Sequence, residues 1–480
     1  MHSGSTRRRR GHPAVACAAG GLILLLSACA PQRYTPAPLE PDTLPRGIAT
    51  GKLDLPEHRA LASGLGADGP WPPAVWTCAE LGVIAVQRSR AVAAAVAEVA
   101  AAQAAVTVAG QRPNPSLGLT LQYDDEKDPG DDTHYTVGPM FQFIWSPVDR
   151  GRIRAALADA DVVASRARVL DTAWTARDMA CRAALDLHAA QVGQGHLEQR
   201  ERLLEAAVNL ARAAAEAGIS DAFEWQVLKL DANSARLARL DQLRAITTAG
   251  ALLAGALALP LDAVRGITLG MASAPAAPLA HALVQRHALG HHPRVLEALA
   301  AYDKAERDLE LEIAAQYPDI VLSPAYLFDQ GDNVWSLVGG VVVPLFATQD
   351  ARIAAATARR DSARTRFESV QAGVIADVQT AHAGWQAAHD LREAVQRTQA
   401  EVARTVQTLE AQFAAGAGDG RLVARARVQQ AVVEARRAEV EIEVARTTLA
   451  LERSAAVALT DAPFGRYLTQ LYAGSDLEEE

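Results

Sequence analysis

The sequence predicts a mainly α-helical chain with a small β part, in which a long α-helical coiled-coil barrel joins a transmembrane β-barrel. Alanine dominates the 50% of residues that are hydrophobic, and only 5% are aromatic, which suits long, closely packed helices better than a thick core. Two proline-free helical stretches of roughly 65 residues would each extend about 100 Å. Each stretch follows a pair of short strands in which apolar residues alternate with small or polar ones.

The N-terminus has the features of a bacterial lipoprotein signal peptide. Four arginines precede an apolar stretch at 14–26 that is too short to span a membrane. Residues 26–29, Leu-Ser-Ala-Cys, resemble the lipobox, in which the cysteine thiol receives a diacylglycerol. We therefore predict a signal peptide at 1–28 and a mature chain that begins at lipidated, palmitate-bearing Cys29.

The residues after the lipobox predict where the chain is anchored. Ala30, in the place of an aspartate, favours sorting to the outer membrane by resemblance to enteric lipoproteins. Many prolines and little periodicity predict that residues 29–75 form a lipidated, extended arm.

The first of two structural repeats is predicted at 76–270. A helix from about 77 to 110 stops before two prolines, and strands at 117–123 and 134–145 follow it. We interpret the acidic turn between these strands, residues 124–132, as a solvated extracellular loop. Asp149 is a candidate N-cap for a long helix that returns through a hairpin near Gly218.

The second repeat, at 271–462, shows the same order at an offset of about 200 residues, which indicates internal duplication. Its predicted elements are a helix at 294–315, strands at 320–328 and 334–346, a long helix at 350–415 and a return helix at 421–459. A C-terminal tail at 463–480 follows.

The four predicted strands cannot close a barrel alone, and an open sheet edge is not tolerated in lipid. We therefore expect several chains to pool their strands into one barrel. We expect no inner-membrane span, because we find no stretch of about 18 apolar residues after the signal peptide.

Aromatic residues of the strands are candidates for the lipid-facing wall or the membrane interface, where indole and phenol rings favour the headgroup boundary. Core packing is the alternative, but their alternation with small polar residues favours the barrel wall. These residues are Tyr135, Phe141, Phe143, Trp145, Trp335 and Phe346.

The composition and the motifs exclude several other classes. A net charge of -9 gives no indication of a nucleic-acid partner, and the motifs of serine hydrolases, phosphate loops and zinc proteases are absent from the sequence. We therefore predict a protein that is not an enzyme and has no cofactor and no metal. The histidines at 281, 287, 291 and 292 have metal-like spacing, but we interpret them as a solvated equatorial segment.

Two cysteines, Cys78 and Cys181, remain in the predicted mature chain beside the lipidated one. Each lies about 35 residues from the strands along its helix, so both are expected roughly 50 Å from the barrel. A disulfide is possible in an oxidising compartment. Equal height does not make the side chains face each other, so the sequence leaves a bridge and two free thiols open.

Several short motifs, in order and twice over, resemble the TolC-like outer-membrane efflux protein family across nearly all of the mature chain. They are residues 113–117 (Pro-Asn-Pro-Ser-Leu), 145–152 (Trp-Ser-Pro-Val-Asp-Arg-Gly-Arg), 216–220 (Glu-Ala-Gly-Ile-Ser), 316–319 (Gln-Tyr-Pro-Asp) and 343–346 (Val-Pro-Leu-Phe). The second hairpin, at 416–422, is richer in glycine than the usual pattern of the family.

This resemblance implies a homotrimer whose chains each contribute four strands to one outer-membrane barrel, joined to a periplasmic helical tube. It implies an exit duct that passively conducts substrates from an inner-membrane efflux transporter and a periplasmic adaptor protein. A type I protein-secretion duct would have a similar sequence, and a periplasmic adaptor lipoprotein is a further alternative. The transported substrate and the partner pump remain open.

The two helical hairpins lie farthest from the predicted barrel, so we expect the periplasmic gate there. In a trimer, Asp221 and Asp419 would each recur three times around the axis, and converging carboxylates repel unless a basic group intervenes. Arg421 is the nearest candidate. The predicted gate residues are Glu216, Gly218, Asp221, Gly416, Asp419 and Arg421, with solvated turns as the alternative.

Overall fold

The computed structural model describes residues 33–56, 58–59, 70–125, 133–271, 279–341, 349–460 and 462–473. The chain divides into two units between Gly47 and Ile48. The first unit contains irregular residues 33–40 and the start of helix α1 (Thr43–Ala49). Every other element described below belongs to the second unit.

Helices α2 (Cys78–Arg88) and α3 (Arg90–Gly110) replace the single helix predicted at 77–110. The break lies at Ser89, whose ψ of 116° is not helical and whose hydroxyl accepts the Val92 N–H at 3.3 Å. A serine that caps the next helix competes with the continuation of the previous one. The prediction of one continuous helix was therefore wrong at this residue.

Four strands form one antiparallel sheet in the order β1-β2-β3-β4. They are β1 (Ser116–Tyr123), β2 (Tyr135–Trp145), β3 (Ile320–Asp329) and β4 (Asp332–Val341). The pairing of β2 with β3 joins the two repeats, with Trp145 opposite Ile320 and Thr136 opposite Asp329. The duplicated strand pairs predicted from the sequence thus combine into a single sheet.

Two long helical hairpins continue from the sheet. The first consists of α4 (Arg150–Glu216) and α5 (Ala222–Ala256), and the second of α8 (Gln349–Ala414) and α9 (Gly420–Ala455). Asp149 caps α4 as predicted, since its carboxylate accepts the Arg152 N–H at 3.1 Å. The 67 residues of α4 correspond to about 100 Å of helix.

Three further α-helices and the 3-10 helix Leu261–Val264 lie in the described part of the second unit. Helices α6 (His281–His291) and α7 (Pro293–Ala314) precede β3, and α10 (Ala462–Ala473) follows α9. Helices α6 and α7 occupy the place in the second repeat that α2 and α3 occupy in the first.

Helix α3 bears on the expectation that the mature chain has no inner-membrane span, because its length and composition would allow it to cross a membrane although Glu98 and Gln103 interrupt its apolar residues. Among the described residues, it is the one helix that meets this criterion by length and composition. Its apolar character comes largely from alanine. Ala95 and Val99 pack against Val162 and Val169 of α4, so α3 has a helical partner along its length.

The largest buried cluster joins α2, α4 and α5 in the first repeat, around Leu81, Leu187 and Leu253. A matching cluster in the second repeat joins α6, α8 and α9 around Val284, Val378 and Leu451. The two repeats therefore each have a small core part-way along their long helices, where short helices pack against the hairpin.

A disulfide between Cys78 of α2 and Cys181 of α4 lies beside the first of these cores, with 5.0 Å between the Cα atoms. Of the two alternatives that the sequence left open, the structure contains the bridge.

Candidate functional site

The sheet presents large apolar side chains to the outside. Tyr135, Phe141, Phe143 and Trp145 of β2 are all exposed, and Trp335 of β4 is 80% exposed. An aqueous surface does not favour such a concentration of exposed rings, whereas a lipid environment does. The sixth predicted aromatic, Phe346, lies outside the described residues, as does most of the acidic turn, residues 126–132.

Leucines extend this apolar surface beyond the aromatics that the sequence singled out. Leu119 and Leu121 of β1 are 73% and 69% exposed, and Leu337 of β4 is 70% exposed. Leu337 was missed because it lies between serine and valine, where the two-residue alternation is weak. The edge strands β1 and β4 therefore also carry large exposed apolar side chains.

Close packing within the sheet explains a glycine in β2. A Cβ atom built on Gly138 would lie 1.8 Å from the Tyr326 carbonyl oxygen, so no larger residue fits without moving a strand. Across the next pair, the rings of Tyr326 and Trp335 lie 4.8 Å apart. Such cross-strand aromatic pairs fix the register of a sheet.

An ion pair links the two repeats at the point where the sheet meets the helices. Arg150, the first residue of α4, lies 3.1 Å from Asp319, which immediately precedes β3, and it also donates to the Tyr317 carbonyl. The Ser146 hydroxyl donates to the same Asp319 carboxylate at 2.5 Å. Two of the motifs that carried the family resemblance, 145–152 and 316–319, thus contact each other directly.

Each hairpin turns at a glycine in a left-handed conformation, with φ of 75° at Gly218 and 78° at Gly416. The N–H of Ile219 donates to the Ala214 carbonyl at 2.8 Å, and Ala417 makes the equivalent bond to Gln412 at 3.0 Å. These bonds satisfy the last carbonyls of α4 and α8. Both predicted glycines are therefore required by the turn geometry.

The acidic residues predicted at the tip have local partners. Asp221 and Asp419 are the N-caps of α5 and α9. Asp221 accepts the Phe223 N–H at 3.0 Å. Glu216 forms an ion pair with Arg212 of the same helix at 2.9 Å. None of these three contacts joins the two hairpins.

Arg421 makes the contact between hairpins that the sequence did not identify. Its guanidinium donates to Asp419 at 2.8 Å and to Glu224 of α5 at 3.1 Å. Arg425, one turn further along α9, donates to the other Glu224 oxygen at 2.5 Å. Glu224, which is 20% exposed, therefore links the first hairpin to two arginines of the second hairpin.

The charge of Asp419 is stabilised by its arginine. A hydrogen bond from the Arg421 side chain, followed by one from the Arg421 backbone N–H, lowers the pKa of Asp419 below its ordinary value. Asp419 thus remains ionised at neutral pH and keeps Arg421 oriented towards Glu224.

Sequence reasoning missed Glu224 and Arg425 for a definable reason. Glu224 is three residues after an N-cap, where an acidic side chain is explained by the helix dipole alone. Its arginine partners lie 197 and 201 residues away in sequence, and no local pattern connects such residues. The duplication offers one signal, because Glu224 and Arg421 occupy the first turns of equivalent helices.

The histidines at 281, 287, 291 and 292 belong to no metal-binding cluster in the described part of the chain. Across the described part of the chain, no group of three or more His, Cys, Asp or Glu side chains is placed to hold a metal ion. The His281 ring packs on that of His382 at 5.2 Å, and buried His292 caps α7 by accepting the Arg294 N–H at 3.2 Å. Two of the four residues therefore have structural roles.

The sequence matches the model of the outer membrane efflux protein family at residues 81–259 and again at 284–457. The chain belongs to this family. The double match covers most of both predicted repeats, although the domain limits at 76–270 and 271–462 stay predictions. This is a family of outer membrane channels, not of enzymes.

Solved outer membrane channels share the fold at low sequence identity. The outer membrane protein VceC from Vibrio cholerae matches with a TM-score of 0.62 and 17% identity, over 80% of this chain and 96% of that one. The CmeC channel of Campylobacter jejuni has a TM-score of 0.58 and 11% identity, with coverage of 94% and 99%. The open state of the MtrE channel of Neisseria gonorrhoeae gives 0.56 and 16%, with coverage of 80% and 90%. No curated protein matches the sequence.

These comparisons confirm the predicted fold class for this efflux-family chain: mainly helical, with four strands and long helical hairpins. The roles of the gate residues and of the interface aromatics, and the lipidation of the chain, stay predictions. Cys29 lies outside the described residues.

Proposed function

We propose that this chain is the exit duct of a tripartite efflux pump. Three copies form a channel in the outer membrane, anchored additionally by lipid on Cys29. The channel passively conducts small solutes that an inner-membrane transporter and a periplasmic adaptor deliver to its tip.

The observation that carries this proposal is the four-stranded sheet. It exposes large apolar side chains, and in the described part of the chain its two edge strands, β1 and β4, do not pair with each other. Within the described residues, β1 pairs only with β2 and β4 only with β3. An unpaired backbone edge costs several kcal/mol per group in hydrocarbon. Copies of the same chain, with β4 of one next to β1 of another, would satisfy both edges at once.

The length of the hairpins supports a duct that reaches deep into the periplasm. Helix α4 starts at the sheet and ends at the tip, about 100 Å away by helix rise. Alanine-rich surfaces allow neighbouring helices to approach closely, as a tube of many helices requires.

The contacts at the tip supply a closure in this proposal. Glu224, Arg421 and Arg425 tie the two hairpins of one chain together, so the hairpins would move as one unit. These ion pairs stay within reach of solvent, with 24% of Arg421 and 51% of Arg425 exposed, so a partner protein that offers competing charges could separate them.

The test is to purify the full-length protein from native membranes after mild cross-linking. We expect three chains per particle in detergent, a conducting channel in planar bilayers, and co-purification with an adaptor and an inner-membrane transporter. A monomer with an intact sheet would contradict the proposal. A captured transporter of the protein-secretion type would instead establish the type I secretion duct, which this architecture also fits.

A further inference from the structure

A cavity of about 370 Å³ lies beside the Cys78–Cys181 disulfide, where α4 and α9 pack together. Small-molecule sites in proteins typically enclose roughly 300–1,000 Å³, so the cavity can hold a small organic ligand. None of its lining residues takes part in the contacts at the tip or in the sheet. It is therefore a candidate site that the proposed duct does not use.

The floor of this cavity is apolar and well packed. Cys181 and Leu185, one turn apart on α4, form a buried cluster with Leu449 of α9. Val444 of α9 and Met271 extend the apolar lining. The floor can thus bury the apolar body of a ligand, which is favourable in proportion to the area removed from water.

Two opposite charges line the same cavity without contacting each other. Arg392 of α8 and Glu441 of α9 are both half-buried, and they are the charged side chains among the described residues that line it. Within the described part of the chain, no basic side chain forms an ion pair with Glu441 and no acidic one with Arg392. A cation and an anion are therefore both presented to whatever occupies the space between them.

His389, one turn before Arg392 on α8, orients the guanidinium. The Arg392 Nη2 donates to the His389 Nδ1 at 2.9 Å. Because a guanidinium only donates, Nδ1 is the unprotonated nitrogen and the ring is neutral. Burial, followed by the charge of Arg392, lowers the pKa of His389 against the opposing effect of Glu441. The hydrogen bond uses one Arg392 N–H group, so the other N–H groups of this side chain can bind a ligand.

We propose that this cavity binds a small zwitterion with an apolar body, of the kind of a free aromatic amino acid. Its carboxylate pairs with Arg392, its ammonium group pairs with Glu441, and its apolar body lies on the floor around Leu185 and Leu449. A ligand that displaces water must replace the hydration of both charges, and hydrogen bonds between ionised groups are the strong ones. The site does not depend on conduction, so it is independent of the proposed function of the chain.

The experiment is equilibrium dialysis of the purified full-length protein against radiolabelled L-tryptophan, with two matched ligands in competition. Tryptamine lacks the carboxylate, and indole-3-propionate lacks the ammonium group. We expect saturable binding of one L-tryptophan per chain. Each competitor should bind about tenfold more weakly or worse, because it leaves one charge of the cavity without a partner.

Two variants assign each charge of the ligand to its partner. Arg392→Gln should weaken L-tryptophan and indole-3-propionate but not tryptamine, whereas Glu441→Gln should weaken L-tryptophan and tryptamine but not indole-3-propionate. A general loss of structure would instead weaken all three ligands alike. Arg397→Gln and Glu443→Gln change exposed residues of the same two helices, and these controls should bind as the wild type does.

Three results would overturn the proposal: no saturable binding of L-tryptophan to the wild type, equal affinity of the wild type for the three ligands, or an unchanged ligand preference in both Arg392→Gln and Glu441→Gln. The first two are measured on the wild-type protein, so they decide the matter even if a variant fails to fold.

Discussion

Arg177 and Glu452 form a buried ion pair, 2.9 Å between nitrogen and oxygen, with side-chain exposures of 2% and 0%. The second Glu452 oxygen accepts the N–H groups of Leu459 and Thr460, each at 2.8 Å. The Arg177 guanidinium lies 4.8 Å from the ring of Phe464 in α10. One pair thus joins α4, the end of α9 and the C-terminal helix.

Glu452→Gln should destabilise the helical part of the protein by about 3–5 kcal/mol, because it leaves the Arg177 charge buried without its counter-charge. Glutamine keeps a carbonyl oxygen for Leu459 and Thr460, so the charge is the main change. Denaturant unfolding followed by circular dichroism measures the effect. Glu443→Gln, which removes an exposed partner of Arg446 on the same helix, is the control and should cost about 1 kcal/mol or less. If Glu452→Gln and Glu443→Gln lower the free energy of unfolding equally, the buried ion pair does not have this stabilising role.

Removal of the Cys78–Cys181 disulfide should also destabilise the fold. The bridge closes a segment of 103 residues, and loss of a native disulfide typically costs about 2–5 kcal/mol. We expect the double variant Cys78→Ser, Cys181→Ser to unfold at lower denaturant, and reduced wild type to match it. Thiol titration of the unfolded, unreduced mature protein should find neither cysteine reactive; two reactive thiols would mean that no bridge forms.

Opening of the tip should follow loss of the contacts around Glu224. Glu224→Gln, and separately the double variant Asp419→Ala, Arg421→Ala, should raise single-channel conductance in planar bilayers and uptake of a large antibiotic by cells. The first change removes the charge that Arg421 and Arg425 contact, and the second removes Arg421 together with its partner Asp419. Glu216→Gln, whose ion pair stays within α4, should leave conductance unchanged. If all three variants conduct like the wild type with normal trimer yield, the closure lies elsewhere.

Buried His292 should make the folded protein less stable as the pH falls. Burial, followed by the charges of Arg453 and Arg294, lowers the pKa of His292 to about 4 from 6.5, against the opposing effect of Asp171 and Asp377. The unfolded chain therefore binds more protons than the folded one between these values. The part of the folding free energy that depends on neutral His292 is fully present above pH 6.5. It is lost as the pH falls towards 4, by about 3 kcal/mol at most.

Thermal unfolding at several pH values tests the role of His292. His292→Asn keeps a side-chain oxygen that can cap α7 and should flatten the decline of the melting temperature between pH 6.5 and 4. The exposed His291→Asn is the control and should decline as the wild type does. An unchanged profile in His292→Asn would exclude this histidine as the cause.

Lipidation should depend on Cys29 alone. Labelled palmitate is expected to enter the wild-type protein and not Cys29→Ser, because only a cysteine directly after the signal peptide receives the diacylglycerol in a lipobox. Gel analysis of labelled cells measures it. Cys17→Ser, in the apolar part of the signal peptide, is the control and should still be labelled. Labelling of Cys29→Ser would contradict lipidation at this residue.

The sequence by itself determined the elements and their order, because their signals are local. Prolines stop helices, Gly218 and Gly416 supply left-handed turns, and Asp149 caps the helix that follows it. Alternation of apolar and small residues identified the strands, and duplication predicted that the two halves repeat one plan. Ser89 is the local exception, where a serine that caps a helix interrupts a longer alanine-rich pattern.

Only the tertiary structure decided which side chains meet. Three ion pairs join residues of different repeats: Arg150 with Asp319, Arg421 with Glu224, and Arg177 with Glu452. The tertiary structure also decided that Cys78 and Cys181, within one repeat, face each other. Successive residues point about 100° apart around a helix. The rotation of each long helix about its axis therefore decides every such contact, and that rotation is fixed by packing between distant segments and not by any local pattern.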